Sequence, residues 1–115
     1  MTHQNKLIGN LAEKAALIFL KEQGLKLYQA NFYSRFGEID LIMLDGDSYV
    51  FVEVKKRSSG INLAFESINL AKQRKLIKAA QFFLLKLGKD VNCRFDAVAL
   101  NADEQIEWIK NIIVL

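Results

Sequence analysis

The 115-residue sequence has no proline, one cysteine, one histidine and one tryptophan. Lone Cys93 excludes an intramolecular disulfide, and with His3 as the only histidine it also excludes a Cys/His zinc cluster of the zinc-finger type. Cys93 is expected to be an inert, buried thiol at the start of a strand. No apolar run approaches the roughly 20 residues that a membrane-spanning helix needs. Residues 1–6 lack the apolar core of a signal peptide, so a cytoplasmic protein without a membrane partner is expected. Low-complexity tracts, internal repeats and linker-like stretches are missing too. Residues 1–115 are therefore expected to form one domain, long enough for a single core but not for two. With 51% hydrophobic and 25% charged residues, wholesale disorder is excluded. A formal charge of +3 fits a nucleic-acid partner without requiring one.

What is present is strongly patterned. Residues from about 4 to 23 read as a helix ended by Gly24. Leu7, Leu11, Ala15 and Ile18 form one apolar stripe, widened by Ala12 and Phe19. A strand is expected near residues 25–32, and a loop around Ser58, Ser59, Gly60 and Asn62. A short turn around 65–68 precedes a second helix capped by Asn69 and running to Gly88. Its core face is Leu76, Ile77, Ala80, Phe83, Leu84 and Leu87. Residues 95–100 and 106–113 read as two closing strands. The order is αβββαββ, and the class is α/β: a mixed sheet flanked by helices.

The chemistry concentrates in a hairpin. Gly37-Glu38-Ile39-Asp40-Leu41-Ile42 is followed, after Gly46-Asp47, by Phe51-Val52-Glu53-Val54-Lys55. Apolar and β-branched runs around a Gly/Asp turn predict two paired strands. If Gly46-Asp47 form a two-residue loop, Asp45 pairs with Ser48, Asp40 stands opposite Glu53 and Glu38 opposite Lys55; an Asp45-Gly46 loop slips this pairing. Side chains alternate along strands, so all four share one face. Ile39, Leu41, Met43, Val50, Val52 and Val54 would make the other face an unbroken apolar surface. Two carboxylates at cross-strand distance repel each other, and a divalent metal would reconcile them. Hard oxygen ligands suit Mg²⁺ or Mn²⁺, which would polarise a phosphodiester and acidify water, while Lys55 could orient or deprotonate that water. The competing reading is a cross-strand ion-pair cluster built on Glu38 and Lys55.

These segments, with Arg57-Ser58-Ser59, resemble the signature of the uncharacterised bacterial YraN-like family. The resemblance extends along nearly the whole chain, through Gly9 and Glu13, the Ala79-Ala80-x-x-Phe83-Leu84 segment and Arg94-Phe95-Asp96. That family looks like a member of the PD-(D/E)XK nuclease superfamily and is similar to archaeal Holliday-junction resolvases. The resemblance implies a restriction-endonuclease-like core with Asp40, Glu53 and Lys55 as catalytic residues. Asp40 and Glu53 would be metal ligands, joined by the backbone carbonyl of Val54. It also implies a supporting helix glutamate, Glu13, which shares its side of the first helix with Gly9, Ala16, Leu17 and Leu20. Lys72 or Gln73 would extend from the second helix toward the scissile phosphate. One departure is clear: the family pattern has Asn-aromatic-Arg before Gly-Glu-Ile-Asp, whereas this chain has Asn31-Phe32-Tyr33. Arg35, two positions on, is the expected substitute.

Lys56, Arg57, Lys72, Arg74, Lys75 and Lys78 form a basic region that fits phosphate contacts, or alternatively a solvated face. Tyr28, Phe32, Tyr33, Phe36 and Trp108 are read as core or sheet-edge residues, and Arg94 with Asp96 as a structural pair. The expected function is metal-dependent hydrolysis of DNA, with branched repair or recombination intermediates as substrates and a homodimer or a protein partner. The rival is a non-catalytic nucleic-acid-binding subunit of a repair or recombination assembly.

Overall fold

In the computed structural model, which describes residues 11–57, 69–101, 103 and 105–113, the chain follows the order αβββαββ. The elements are α1 (Leu11–Glu22), β1 (Lys26–Ser34), β2 (Gly37–Asp45), β3 (Ser48–Arg57), α2 (Leu70–Leu87), β4 (Cys93–Asn101) and β5 (Ile106–Ile109). His3, Leu7, Gly9 and the expected turn at 65–68 lie outside the described residues. The strands make one five-stranded sheet in the order β1-β2-β3-β4-β5. All neighbours are antiparallel except β3 and β4. Parallel neighbours need a crossover between them, and α2 lies in that connection.

Each helix covers one face. Under α1 lie Leu41, Met43, Val50, Val52, Val98 and Leu100, packed on Ala16, Leu17 and Leu20. Under α2 lie Ile42, Tyr49, Phe51 and Phe95, packed on Leu76, Ala79, Ala80 and Phe83. Phe83 is the hub, with T-shaped or tilted contacts to Tyr28, Phe32, Tyr49 and Phe51. The α2 boundaries follow their caps. Asn69 accepts a hydrogen bond from the Lys72 amide, and Gly88 closes the helix at φ 73°.

Four expectations need correction. The fully buried face of α1 is Glu13, Ala16, Leu17 and Leu20; of the expected stripe Leu11 and Ile18 are exposed, while Ala12, Ala15 and Phe19 pack partly buried against the same core. The helix carries two apolar stripes, and the sheet takes the one with the glutamate. Ile39 does not join Leu41 and Met43 but packs with Phe32 and Ile42 on the α2 side. Its neighbour Phe32 does likewise, whereas the preceding pair, Ala30 and Leu41, belongs to the α1 side. Both strands therefore change faces at the rung between these pairs, that of Asn31 and Asp40. The last strand stops at Ile109 instead of reaching 113. Asn111 takes a left-handed φ of 57°, and its amide is caught by Asp96 at 3.0 Å. That turn sends Ile113 into the α2-side core. Finally, Cys93 is exposed, although partial desolvation still raises its pKa and disfavours the thiolate.

The Arg94–Asp96 pair holds this C-terminal turn. Both oxygens of fully buried Asp96 accept from Arg94 Nε at 3.1 Å, and one also accepts from Trp108 Nε1 at 3.0 Å. Arg94 then reaches Asp45 at the hairpin turn, at 2.9 Å. Its role is structural, as expected.

Candidate functional site

The hairpin has the register counted from its Gly46-Asp47 loop, from Asp45 opposite Ser48 to Leu41 opposite Val52. There the β2–β3 ladder ends, one step short of pairing Asp40 with Glu53. Instead of a backbone partner, the Val54 amide donates to Asp40 Oδ2 at 2.8 Å. The strands fork at this point, and side chains from both helices converge on the fork.

From the α1 side comes Glu13, only 6% exposed. Carboxylate oxygens of Glu13, Glu38 and Asp40 lie within 4.8 Å of one another. Glu53, also buried, lines one cleft with Glu38 and Asp40. Its Oε1 is 2.8 Å from Lys72 Nζ and 3.5 Å from Lys55 Nζ. The expected Glu38–Lys55 contact gives way to this neighbour pairing along β3. A cleft of about 300 Å³ opens over the fork, lined by Gly37, Glu38, Asp40, Glu53, Lys72 and Lys75. A larger hollow, about 660 Å³, sits at the turn end beside Gly46 and Tyr49, away from Asp40 and Glu53.

The electrostatics follow from crowding. Burial first, then the Glu53 charge, push the Asp40 pKa up to about 8; the Val54 hydrogen bond opposes them, and Glu13 and Glu38 add to the rise. Lys55 is held below the ordinary lysine value, chiefly by burial and by its hydrogen-bonded neighbour Lys72. For Lys72 burial acts downward, but contacts with Glu53 and Lys55 outweigh it and raise its pKa. Of the two ammonium groups, Lys55 is thus the readier to give up its proton. The donor set suits a hard divalent cation: three close carboxylates, with the Asp40 pKa raised by burial and by its acidic neighbours.

The other named residues divide between the two sides. Lys75 lines the cleft from α2 and is exposed. Gln73 sits in the first turn of α2, half-buried. Lys56, one step past Lys55, is exposed and lines a smaller hollow with Leu11, Glu13 and Val54 on the α1 side. Arg57 ends β3. Lys56 on the α1 side and Lys75 on the α2 side therefore do not share one face. Arg35 does not continue β1 as expected. It lies in the β1–β2 turn, where Ser34 Oγ donates to the Gly37 carbonyl and accepts from the Phe36 amide. Its guanidinium stacks 4.9 Å from the Phe36 ring centroid. Tyr33 is instead the residue across from Glu38. Glu38, then desolvation and the charges of Glu13 and Asp40, raise the pKa of its hydroxyl.

Sequence reasoning placed Glu38 on the face of Asp40 but did not count it with the acids that could hold a metal, whereas its carboxylate lies close to those of Glu13 and Asp40. The signal was its i, i+2 relation to Asp40. Its closeness to Glu13 depends on which stripe of α1 is buried, which periodicity did not decide.

A family model described as "Uncharacterised protein family UPF0102" matches residues 12–100. Similar proteins include a UPF0102 protein of Psychromonas ingrahamii, 50% identical over 105 residues, covering 90% of this chain and 86% of that protein. Another, from Nitrosomonas eutropha, is 49% identical over 104 residues and covers 90% of each. A third, from Nitrosospira multiformis, is 50% identical over 109 residues and covers 92% of each.

Proposed function

The chain belongs to the UPF0102 family, and from that premise we propose that it is a metal-dependent endonuclease acting on DNA, with a PD-(D/E)XK-like core. The observation that carries this reading is the fork. Three carboxylates, Glu13, Glu38 and Asp40, meet there, and two lysines, Lys55 and Lys72, gather beside them around Glu53. Acids that hold a cation next to cations that hold a phosphate are what phosphodiester hydrolysis requires.

In this reading Glu13, Glu38 and Asp40 hold Mg²⁺ or Mn²⁺, with Glu53 and the Val54 carbonyl bordering the site. When bound, the ion supplies Lewis acidity at the phosphate and acidifies water. The chain's own residues do the rest. Asp40, by taking the Val54 amide, fixes the backbone that carries Glu53 and Lys55. Lys55, with its lowered pKa, orients and deprotonates the attacking water. Lys72 stays protonated and neutralises charge developing on the phosphorane, while Lys75 and Gln73 bind the flanking phosphate. Lys56 guides the strand on the α1 side, Arg57 follows it along β3, and Arg35 reaches the strand from the β1–β2 turn.

The test is cleavage of branched and duplex DNA with Mn²⁺ by wild type and Lys55→Ala. Wild type should cut, and the variant should bind DNA and Mn²⁺ but cut at least a hundredfold more slowly. Cleavage at the wild-type rate by a folded Lys55→Ala protein would remove Lys55 from the mechanism. A second reading, a nucleic-acid-binding subunit without catalysis, draws on the 2.8 Å Lys72–Glu53 pair, which already neutralises one acid of the motif. DNA binding without cleavage by wild type would favour it.

A further inference from the structure

Asn31 combines two unfavourable features at one position. It has a φ of 52°, a left-handed conformation that asparagine tolerates better than most residues with a Cβ but that glycine adopts more freely. It is also only 6% exposed, and its Nδ2 meets no hydrogen-bond acceptor among the described residues. A buried amide donor without an acceptor loses its hydration for nothing. Glycine would remove both penalties.

The location gives these penalties a meaning. With Ala30 paired to Leu41 and Phe32 paired to Ile39, Asn31 is the β1 residue across from Asp40. This is the rung at which both strands change faces, and Asp40 is the acid that closes the fork. The neighbouring rung pairs Tyr33 with Glu38, a second acid of the cluster. Strain and unmet polar groups gather at sites where something must be held ready. A carboxamide nitrogen can only donate, and oxygen acceptors are what this rung offers.

We propose that Asn31 is a positioning residue for the acid cluster: its buried amide donor is reserved for a carboxylate oxygen of Glu13, Glu38 or Asp40 once a divalent cation has drawn them together. A carboxylate oxygen that accepted such a bond would be held in one orientation, leaving its other lone pair available to a cation. This rests on the metal reading of the site given above. It separates the two jobs of a core residue, because Asn31 then serves binding at the expense of stability.

The experiment compares wild type, Asn31→Gly and Asp40→Asn by thermal melting without metal and by Mn²⁺ titration, with free Mn²⁺ followed by electron paramagnetic resonance. The Asn31→Gly protein should melt no lower than wild type and bind Mn²⁺ about tenfold or more weakly, the usual effect of losing a hydrogen-bond partner of a metal ligand. Wild-type Mn²⁺ affinity in Asn31→Gly overturns the proposal and leaves the metal site standing, provided Asp40→Asn binds weakly. A clear drop in melting temperature with unchanged affinity marks Asn31 as packing and overturns it equally. If wild type itself takes up no Mn²⁺, or binds it no better than Asp40→Asn, the metal reading falls and this inference falls with it.

Discussion

Asp40 is the residue in which fold and chemistry compete most directly. Its carboxylate caps the Val54 amide, a structural duty, yet burial and its acidic neighbours push its pKa up to about 8. The unfolded value is near 3.8, so the folded state binds a proton more tightly than the unfolded one. The stability tied to that proton is fully present below about pH 4 and is lost as pH rises through about 8. Without metal, wild type should lose melting temperature relative to Asp40→Asn between those limits, and melts taken from pH 4 to 9 would measure it. Parallel curves for the two proteins would mean that Asp40 is not crowded. A cation competes for the same oxygens, so Mn²⁺ should restore most stability at high pH and its affinity should climb with pH. Lys55 is the counterpart, lowered where Lys72 is raised. Their opposed shifts distinguish two ammonium groups that share the Glu53 carboxylate.

At the scale of elements, the hairpin was legible from its turn, and of the two loop positions the sequence allows the structure takes Gly46-Asp47. Gly46-Asp47 sets Asp45 against Ser48, and the alternation that follows puts Glu53 and Lys55 on the α2 side with Phe51. Helix α2 was legible through its caps. What stayed hidden depends on contacts between elements. Two stripes of α1 are both apolar, and only the sheet selects the one carrying Glu13. The face change at Ile39 and the turn at Asn111 rest on backbone conformations that period-two counting cannot foresee. The Asn69 cap links an element boundary to the site, since it binds the amide of Lys72 itself. Asn69→Ala should cost about 1 kcal/mol of stability and loosen Lys72 from Glu53. A lower melting temperature together with slower DNA cleavage is therefore expected, both restored by Asn69→Ser. Gly37 makes a separate case. At φ 150° it precedes Glu38 and lies against Lys75, so Gly37→Ala should destabilise by about 1–3 kcal/mol. Chemical denaturation would measure the loss, and an unchanged midpoint would show that the turn adapts.

For the molecule as a whole, the position of the basic residues argues for a strand that crosses the fork. Lys56 lies on the α1 side and Lys72 and Lys75 on the α2 side, with the acids between them. A smooth duplex lying on one face would meet only half of this charge. DNA that opens or bends at the site can meet both halves, which favours a junction or flap over plain duplex. Cutting a four-way junction symmetrically takes two such sites, so the junction-cleaving form should be a two-fold dimer. Phosphate contacts release counterions, and the logarithm of affinity should fall with the logarithm of salt by about 0.9 per contact on duplex segments. Lys56→Ala and Lys75→Ala should each reduce that slope by about 1 on junction DNA. On duplex, one of the two should have little effect. Titrations of junction, flap, single-stranded and duplex DNA at several salt concentrations, with light scattering alongside, would decide this. If all four substrates bind alike, both variants shift the duplex slope equally and the protein stays monomeric on DNA, the crossing path is wrong. The protein would then track one uniform backbone without sensing a branch.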